Sequence, residues 1–258
     1  MSESKRPAAA LDSVLHERMD AISDLVRRVS HDYNNLFGIV IAALGILQED
    51  LDEHPGISQL KPLITDALSA SKEGTELMER LLACTGYRLL QPEPVDVRKL
   101  LAELELRFQQ VMPEDIALEL LVDFNLPHAY VDPAGLESTI LDLVANAREA
   151  MPVGGTLRIS ADSYSIDGGG DAGIRPLSPG QYLSIAVWDT GSGIDSSMLG
   201  RVVEPFVTTK EPAKSRGFGL SKSYGFARQS RGRILLESEP NRGTKVTLVI
   251  PAVAPNSG

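Results

Sequence analysis

Four short stretches of this 258-residue chain hold side chains whose types and spacing suit chemistry. In "VSHDYNNLFGIV" (29–40), His31, Asp32, Asn34 and Asn35 crowd little more than one helical turn. On a helix advancing about 100° per residue, Val29, Leu36 and Leu47 mark one apolar stripe, and His31 falls roughly 180° from its centre. His31 is therefore expected to face solvent, with Asn35 one turn on. The same face continues through Gly38, Ala42 and Gly45, a smooth track along which a partner's backbone can approach. The second stretch, "LDLVANAREAM", sets Asp142 and Asn146 one turn apart beside an apolar face of Leu136, Ile140, Leu143 and Ala147. An amide beside a carboxylate can hold a metal–nucleotide complex through oxygen; a solvated helix flank is the plainer alternative. In the third, "WDTGSGI" (188–194), Asp189 ends a strand, and Gly191 and Gly193 let a ligand come close to the backbone. Its carboxylate can accept a hydrogen bond from an exocyclic amine. The fourth, "EPFVTTKEPAKSRGFGLSKSYG" (204–225), joins hydroxyls and lysines to glycines where a helix opens, and backbone N–H groups there favour phosphate. No GxxxxGK[ST] motif occurs, so any phosphate site has a different architecture.

These stretches need elements to hold them. Steps of three and four from Leu15 to Leu51 predict a long helix, broken by Pro55 and Gly56. A second helical pattern runs from about 58 to 88, so the two form an antiparallel hairpin. A lone hairpin exposes much of its apolar stripe, and pairing with a second copy into a four-helix bundle is the simplest closure. "QPEPVD" (91–96) reads as a stiff junction. Beyond it, helices near 97–111, 133–150 and 218–230 mix with strand-like "IALELLVDF", "HAYVD", "TLRISADSY", "QYLSIAVWD", "RILLESE" and "TKVTLVIP". Asp132-Pro133 is an N-cap followed by proline at the first helical position. Strands and helices without strict alternation predict an α+β layer. The expected division is a disordered N-terminus (1–10), a helical domain (11–90), a linker (91–96), an α+β domain (97–252) and a disordered tail (253–258).

Composition narrows the class. A formal charge of −10 argues against nucleic-acid and anionic-membrane surfaces. The single Cys84 excludes an intrachain disulfide and suits a reducing, cytoplasmic compartment. The most apolar run, "LFGIVIAALGIL" (36–47), is short of the ~20 residues a membrane span needs.

Taken in order, "HDYNN", "NAREAM", "DTGSGI", "EPFVTTK", "GFGLS" and "SEPNRGTKVTLVIP" resemble the sequential boxes of bacterial sensor histidine kinases, in the subgroup whose phosphoacceptor box reads H-D-F-N-N-L. The resemblance spans roughly residues 20 to 252. It implies a dimerisation and histidine-phosphotransfer hairpin, followed by a two-layer ATP-binding domain of the GHKL (Bergerat) type. By the same resemblance, His31 is the phosphoacceptor, Asp32 polarises its imidazole, and Asn35 positions water when the protein acts as a phosphatase. Asn146 ligates Mg²⁺ on ATP, Asp189 binds the adenine amine, and Gly191 and Gly193 shape the adenine pocket. Lys210 begins the lid, Gly217 and Gly219 pass close to the phosphates, and Arg148 stands on the phosphate side. The implied partners are a receiver domain of a response regulator and a second copy of the chain. A separate sensor protein, the chain's own N-terminus, or a lost sensory region would supply the signal, since only thirty residues precede His31. Three departures stand out: Asp142 in place of the family's usual asparagine, Ser215-Arg216 in place of the lid's Gly-Thr, and Phe218 in place of an aliphatic residue. They leave open two alternatives: a phosphotransfer or scaffold protein without turnover, and an ATPase using Asp142 as base.

Overall fold

In the computed structural model, which describes residues 22, 26, 29–30, 33, 36–48, 60–85, 90–166, 177–205, 207 and 218–254, three aspartates set helix starts. Asp96 accepts the Lys99 N–H at the head of α3 (Val97–Val111), and Asp132 accepts that of Gly135 at 2.7 Å at the head of α4 (Pro133–Ala150), with Pro133 in the first turn. Asp195 does the same for a one-turn helix, α5 (Ser196–Leu199), by accepting from Ser197. That helix falls in a region the sequence marks only by its glycines; the Asp-Ser-Ser start was its available signal. Helix α6 (Gly219–Gln229) agrees with the expected 218–230 to within a residue at each end.

Among the described residues, seven strands form one sheet: β1 (Glu93–Val95), β2 (Ile116–Val122), β3 (His128–Val131), β4 (Gly155–Ile166), β5 (Gly180–Asp189), β6 (Arg233–Glu239) and β7 (Gly243–Val253). The order is β1–β3–β7–β5–β4–β2, with β6 on β7. Only β2 and β4 run parallel; the other pairings are antiparallel. Alternation along the strands sends Leu157, Ile159, Leu183, Ile185, Leu248 and Ile250 into the core. There they meet Leu101, Leu104 and Phe108 of α3 and Leu136, Ile140 and Leu143 of α4. Leu136 and Ile140 are fully buried, each contributing about 2 kcal/mol. The opposite face is partly open to solvent. In one cross-strand row, Glu119, Arg158, Trp188, Lys245 and Glu237 stand side by side, with Arg158 ion-paired to Glu119 at 2.7 Å and stacked on Trp188. The result is a two-layer α+β sandwich.

One expectation is corrected here. Residues 93–95 of the Pro-rich junction are not a bare linker but strand β1, paired with β3. Pro94, which has no N–H, is tolerated because β1 lies at the edge.

On the N-terminal side, residues 36–48 are helical (α1) and α2 spans Lys61–Thr85. Ser30 Oγ donates to Met78 Sδ at 2.9 Å, and the Phe37 ring lies over Gly74, where a Cβ would be 2.9 Å away. The order of those contacts is antiparallel. Much of the apolar stripe is open, as expected of a lone hairpin: Val29, Leu36, Val40 and Leu47 are exposed in the single chain, Leu36 at 61%. Ser30 and Phe37, not those four, meet α2. Helix α2 also lies against α6. Among the described residues, no helix is long and apolar enough to cross a membrane.

Candidate functional site

The second half of α4, the end of β5, the start of α6 and the first residues of β7 surround a cavity of about 350 Å³. Leu143, Ile194, Met198, Val202, Leu236 and Val246 give it apolar walls. Polar groups are few and placed at particular points, the usual composition of a small-molecule site.

Asp189 is one of them, 5% exposed at the end of β5. Its Oδ1 accepts the N–H of Gly191 at 2.8 Å and that of Thr244 at 3.3 Å. These donors hold a buried carboxylate that would otherwise be costly. The turn after it requires its glycines. A Cβ on Gly191 would fall 2.4 Å from the Ala150 carbonyl oxygen. Gly193 has φ +66°, and a Cβ there would fall 2.0 Å from the Glu239 oxygen. Ser192 donates to Ala150 O, and Asn241 N–H donates to Ser192 O at 2.7 Å, so the turn is pinned to both α4 and the β6–β7 connection. Ser238 adds a further tie. Its hydroxyl donates to Gly243 O and accepts from Ile194 N–H, so the Thr244 hydroxyl, 2.9 Å away, is the donor between those two side chains.

Across the cavity, Asn146 meets the start of α6. A Cβ on Gly219 would lie 2.8 Å from Asn146 Nδ2, so glycine is what allows the helix start to abut that amide. The N–H groups opening α6 and the amide of Asn146 together suit an anion with a bound cation. Asp142, one turn before Asn146, is ion-paired: Lys222 Nζ donates to its Oδ2 at 2.8 Å and to Ser138 Oγ at 2.7 Å.

The structure therefore brings together Asn146, Asp189, Gly191, Gly193 and Gly219. Among the described residues, Arg148 is not part of the lining: two positions past Asn146 turns it about 200° around the helix. Sequence reasoning missed Thr244, Ser238 and Lys222. A Gly-Thr pair opening a strand was the one available sign for Thr244. His31, Asp32, Asn35, Lys210 and Gly217, with Ser215 and Arg216, lie outside the described residues.

Apolar walls, a buried carboxylate and a mouth with an amide and a helix start give the cavity the composition of a site for a flat ring joined to an anion. Residues 131–254 match the family described as histidine kinase-, DNA gyrase B- and HSP90-like ATPase. The sensor kinase CckA of Brucella abortus (strain 2308) is 30% identical over 235 residues, 91% of this chain. The chain spans only 25% of that relative's length. Full-length ShkA, solved in complex with AMPPNP, shares the fold with a TM-score of 0.57 at 19% identity, over 90% of this chain and 46% of that one. Histidine kinase ThkA, solved with the response regulator protein TrrA, does so at 0.54 and 20% identity, over 93% and 64%. Residues 131–254 are therefore an ATPase domain of this type, and nine-tenths of the chain is homologous to the sensor histidine kinases.

Proposed function

We propose that this chain binds Mg·ATP in the cavity between α4, β5 and α6, phosphorylates His31, and passes the phosphoryl group to an aspartate of a response-regulator receiver. The observation that carries this reading is Asp189, a buried carboxylate fixed by two backbone N–H groups at the wall of an otherwise apolar cavity, with Asn146 and the α6 start opposite. Asp189 would take the adenine amine, and the α6 N–H groups would face the phosphates. Asn146 would hold Mg²⁺ through its side-chain oxygen, and the ion would neutralise phosphate charge. A nitrogen of neutral His31 would form the N–P bond as the bond from the γ-phosphorus to the ADP oxygen breaks, with Asp32 polarising the ring. Asn35 would orient water for the reverse role, phosphatase action on the receiver.

The exposed Leu36, Ile39, Val40 and Leu47 on one helix support a second copy as the partner that completes a four-helix bundle. The receiver partner is supported by the ThkA neighbour, whose structure contains a response regulator. A cytoplasmic site of action and a separate sensor protein complete the reading. The Lys222 ion pair speaks against Asp142 as the base of a free-standing ATPase, because that carboxylate already has a cation beside it.

Labelling with γ-³²P-ATP tests the proposal. Acid-labile label is expected in the wild type and absent in His31→Gln. Steady phosphate release that survives His31→Gln but not Asp142→Ala would instead establish the ATPase. Label accepted only from a phosphorylated receiver would establish the non-catalytic phosphotransfer protein.

A further inference from the structure

Along α4, Ser138, Asp142 and Asn146 stand at steps of four, a single row on the helix surface. Along α6, Gly219, Lys222 and Phe226 face that row in the opposite direction. Gly219 abuts Asn146, Lys222 bonds to Asp142 and Ser138, and the Phe226 ring lies over Gly135. The two helices are thus antiparallel neighbours along this edge of the cavity, and the middle contact is a charged one.

That contact is unusual on physical grounds. A lysine in the first turn of a helix opposes the positive end of the helix dipole. A carboxylate one turn from Asn146 sits beside a place meant for phosphate, where a second negative charge repels. Each group is unfavourable alone and the pair removes both problems. It also ties the α6 start to α4, so the backbone N–H groups that open α6 stay beside Asn146.

We infer that Lys222 and Asp142 are a charge-neutralising positioning pair for the triphosphate: Lys222 cancels the Asp142 carboxylate and fixes the α6 start against Asn146. The inference rests on the nucleotide reading of the cavity and extends it to two residues that touch neither base nor metal. It separates two parts of one ligand. The phosphates feel the pair; the base, read by Asp189 at the other side, does not.

The test measures Mg·ATP and adenosine affinity by calorimetry on the full chain. Lys222→Met is expected to weaken ATP binding about tenfold, the scale of an unscreened carboxylate one helical turn away in a partly solvated site. Adenosine affinity should stay within twofold. Adding Asp142→Asn to Lys222→Met should recover most of the ATP affinity, and Lys222→Arg should keep it within threefold. The ATP loss should shrink at high salt. An unchanged ATP affinity in Lys222→Met overturns the inference, and so does a parallel loss of adenosine, which marks a merely structural role. Wild-type chain that binds neither ligand overturns the nucleotide reading and this inference with it. The double variant, which carries no unpaired charge, guards against loss of folding: failure to recover ATP binding while its melting temperature is normal also refutes the pair.

Discussion

Replacing Gly219 with alanine separates the stability of α6 from the use of its first residue. The added Cβ would lie 2.8 Å from Asn146 Nδ2, 3.2 Å from its Oδ1 and 3.4 Å from its Cγ. Ordinary contact begins at roughly 3.4 Å, so the amide must retreat by about 0.6 Å. The obstacle is the end of a side chain, not backbone, and an amide can turn away cheaply. Alanine also favours a helix over glycine by as much as about 1 kcal/mol, less at a first position. The two effects offset each other, and the melting temperature should move by no more than about 3 °C. Catalysis should not be spared. Misplacement by 1 Å at a reacting centre costs on the order of a hundredfold, so 0.6 Å predicts a fall in the rate of His31 labelling on the order of tenfold, or about 1.4 kcal/mol of barrier. Labelling at saturating Mg·ATP and a thermal melt on the same preparation decide it. Unchanged labelling at unchanged stability would show that the reaction does not depend on the position of the Asn146 amide. A melting temperature lowered by 10 °C would show that Gly219 is there for packing alone.

Other substitutions should sort by what surrounds them. Asp189→Asn keeps the shape but weakens charge-assisted bonds to Gly191 and Thr244 and can offer the base a donor in place of an acceptor. A hydrogen bond to a charged group is worth about 1.5–3 kcal/mol, so adenine-nucleotide affinity by calorimetry should fall about 10- to 150-fold, and a change under twofold would remove Asp189 from base recognition. Gly193→Ala meets backbone, the Glu239 carbonyl at 2.0 Å, at a φ of +66°. It should cost about 2–4 kcal/mol and lower the melting temperature by roughly 5–15 °C, and a shift under 2 °C in a thermal melt would contradict the geometry. The Ser197 hydroxyl, and after it the Ser197 N–H, hold the Asp195 carboxyl below its usual pKa. A lowered folded-state pKa gives stability that is full above the unfolded value near 3.9 and lost as pH falls through the folded one. Urea melts should therefore show the difference between wild type and Asp195→Asn at pH 7 closing below about pH 4, and a difference constant down to pH 2 would refute it.

What the sequence revealed follows from the range of the interactions involved. Asp132-Pro133 declared the start of α4 because a cap and a fixed φ are local, and the Gly135 N–H bond bears it out. Asp189 with Gly191 and Gly193 was legible for the same reason: the carboxylate bonds to an N–H two residues on. Strand β1 was not, since its partner β3 lies some 36 positions away and Pro94 argues locally against a strand. The Lys222–Asp142 pair joins residues 80 apart, and the one local sign was a lysine set against its helix dipole.

The apolar stripe of the first helix shows a different limit. Periodicity established that Val29, Leu36, Val40 and Leu47 share a face, and they do, yet that face is open to solvent in the chain while Ser30 and Phe37 meet α2. A pattern of threes and fours reports that a face must be covered, never which chain covers it. Four large apolar side chains left in water cost about 1.5–3 kcal/mol each relative to burial. That cost is why the hairpin points to a second copy as its partner. It also makes the claim checkable: sedimentation should show a dimer, and Leu36→Asp with Val40→Asp should yield a monomer whose ATP-binding domain melts at the wild-type temperature. Monomeric wild type at micromolar concentration would mean that something other than its own copy covers the stripe.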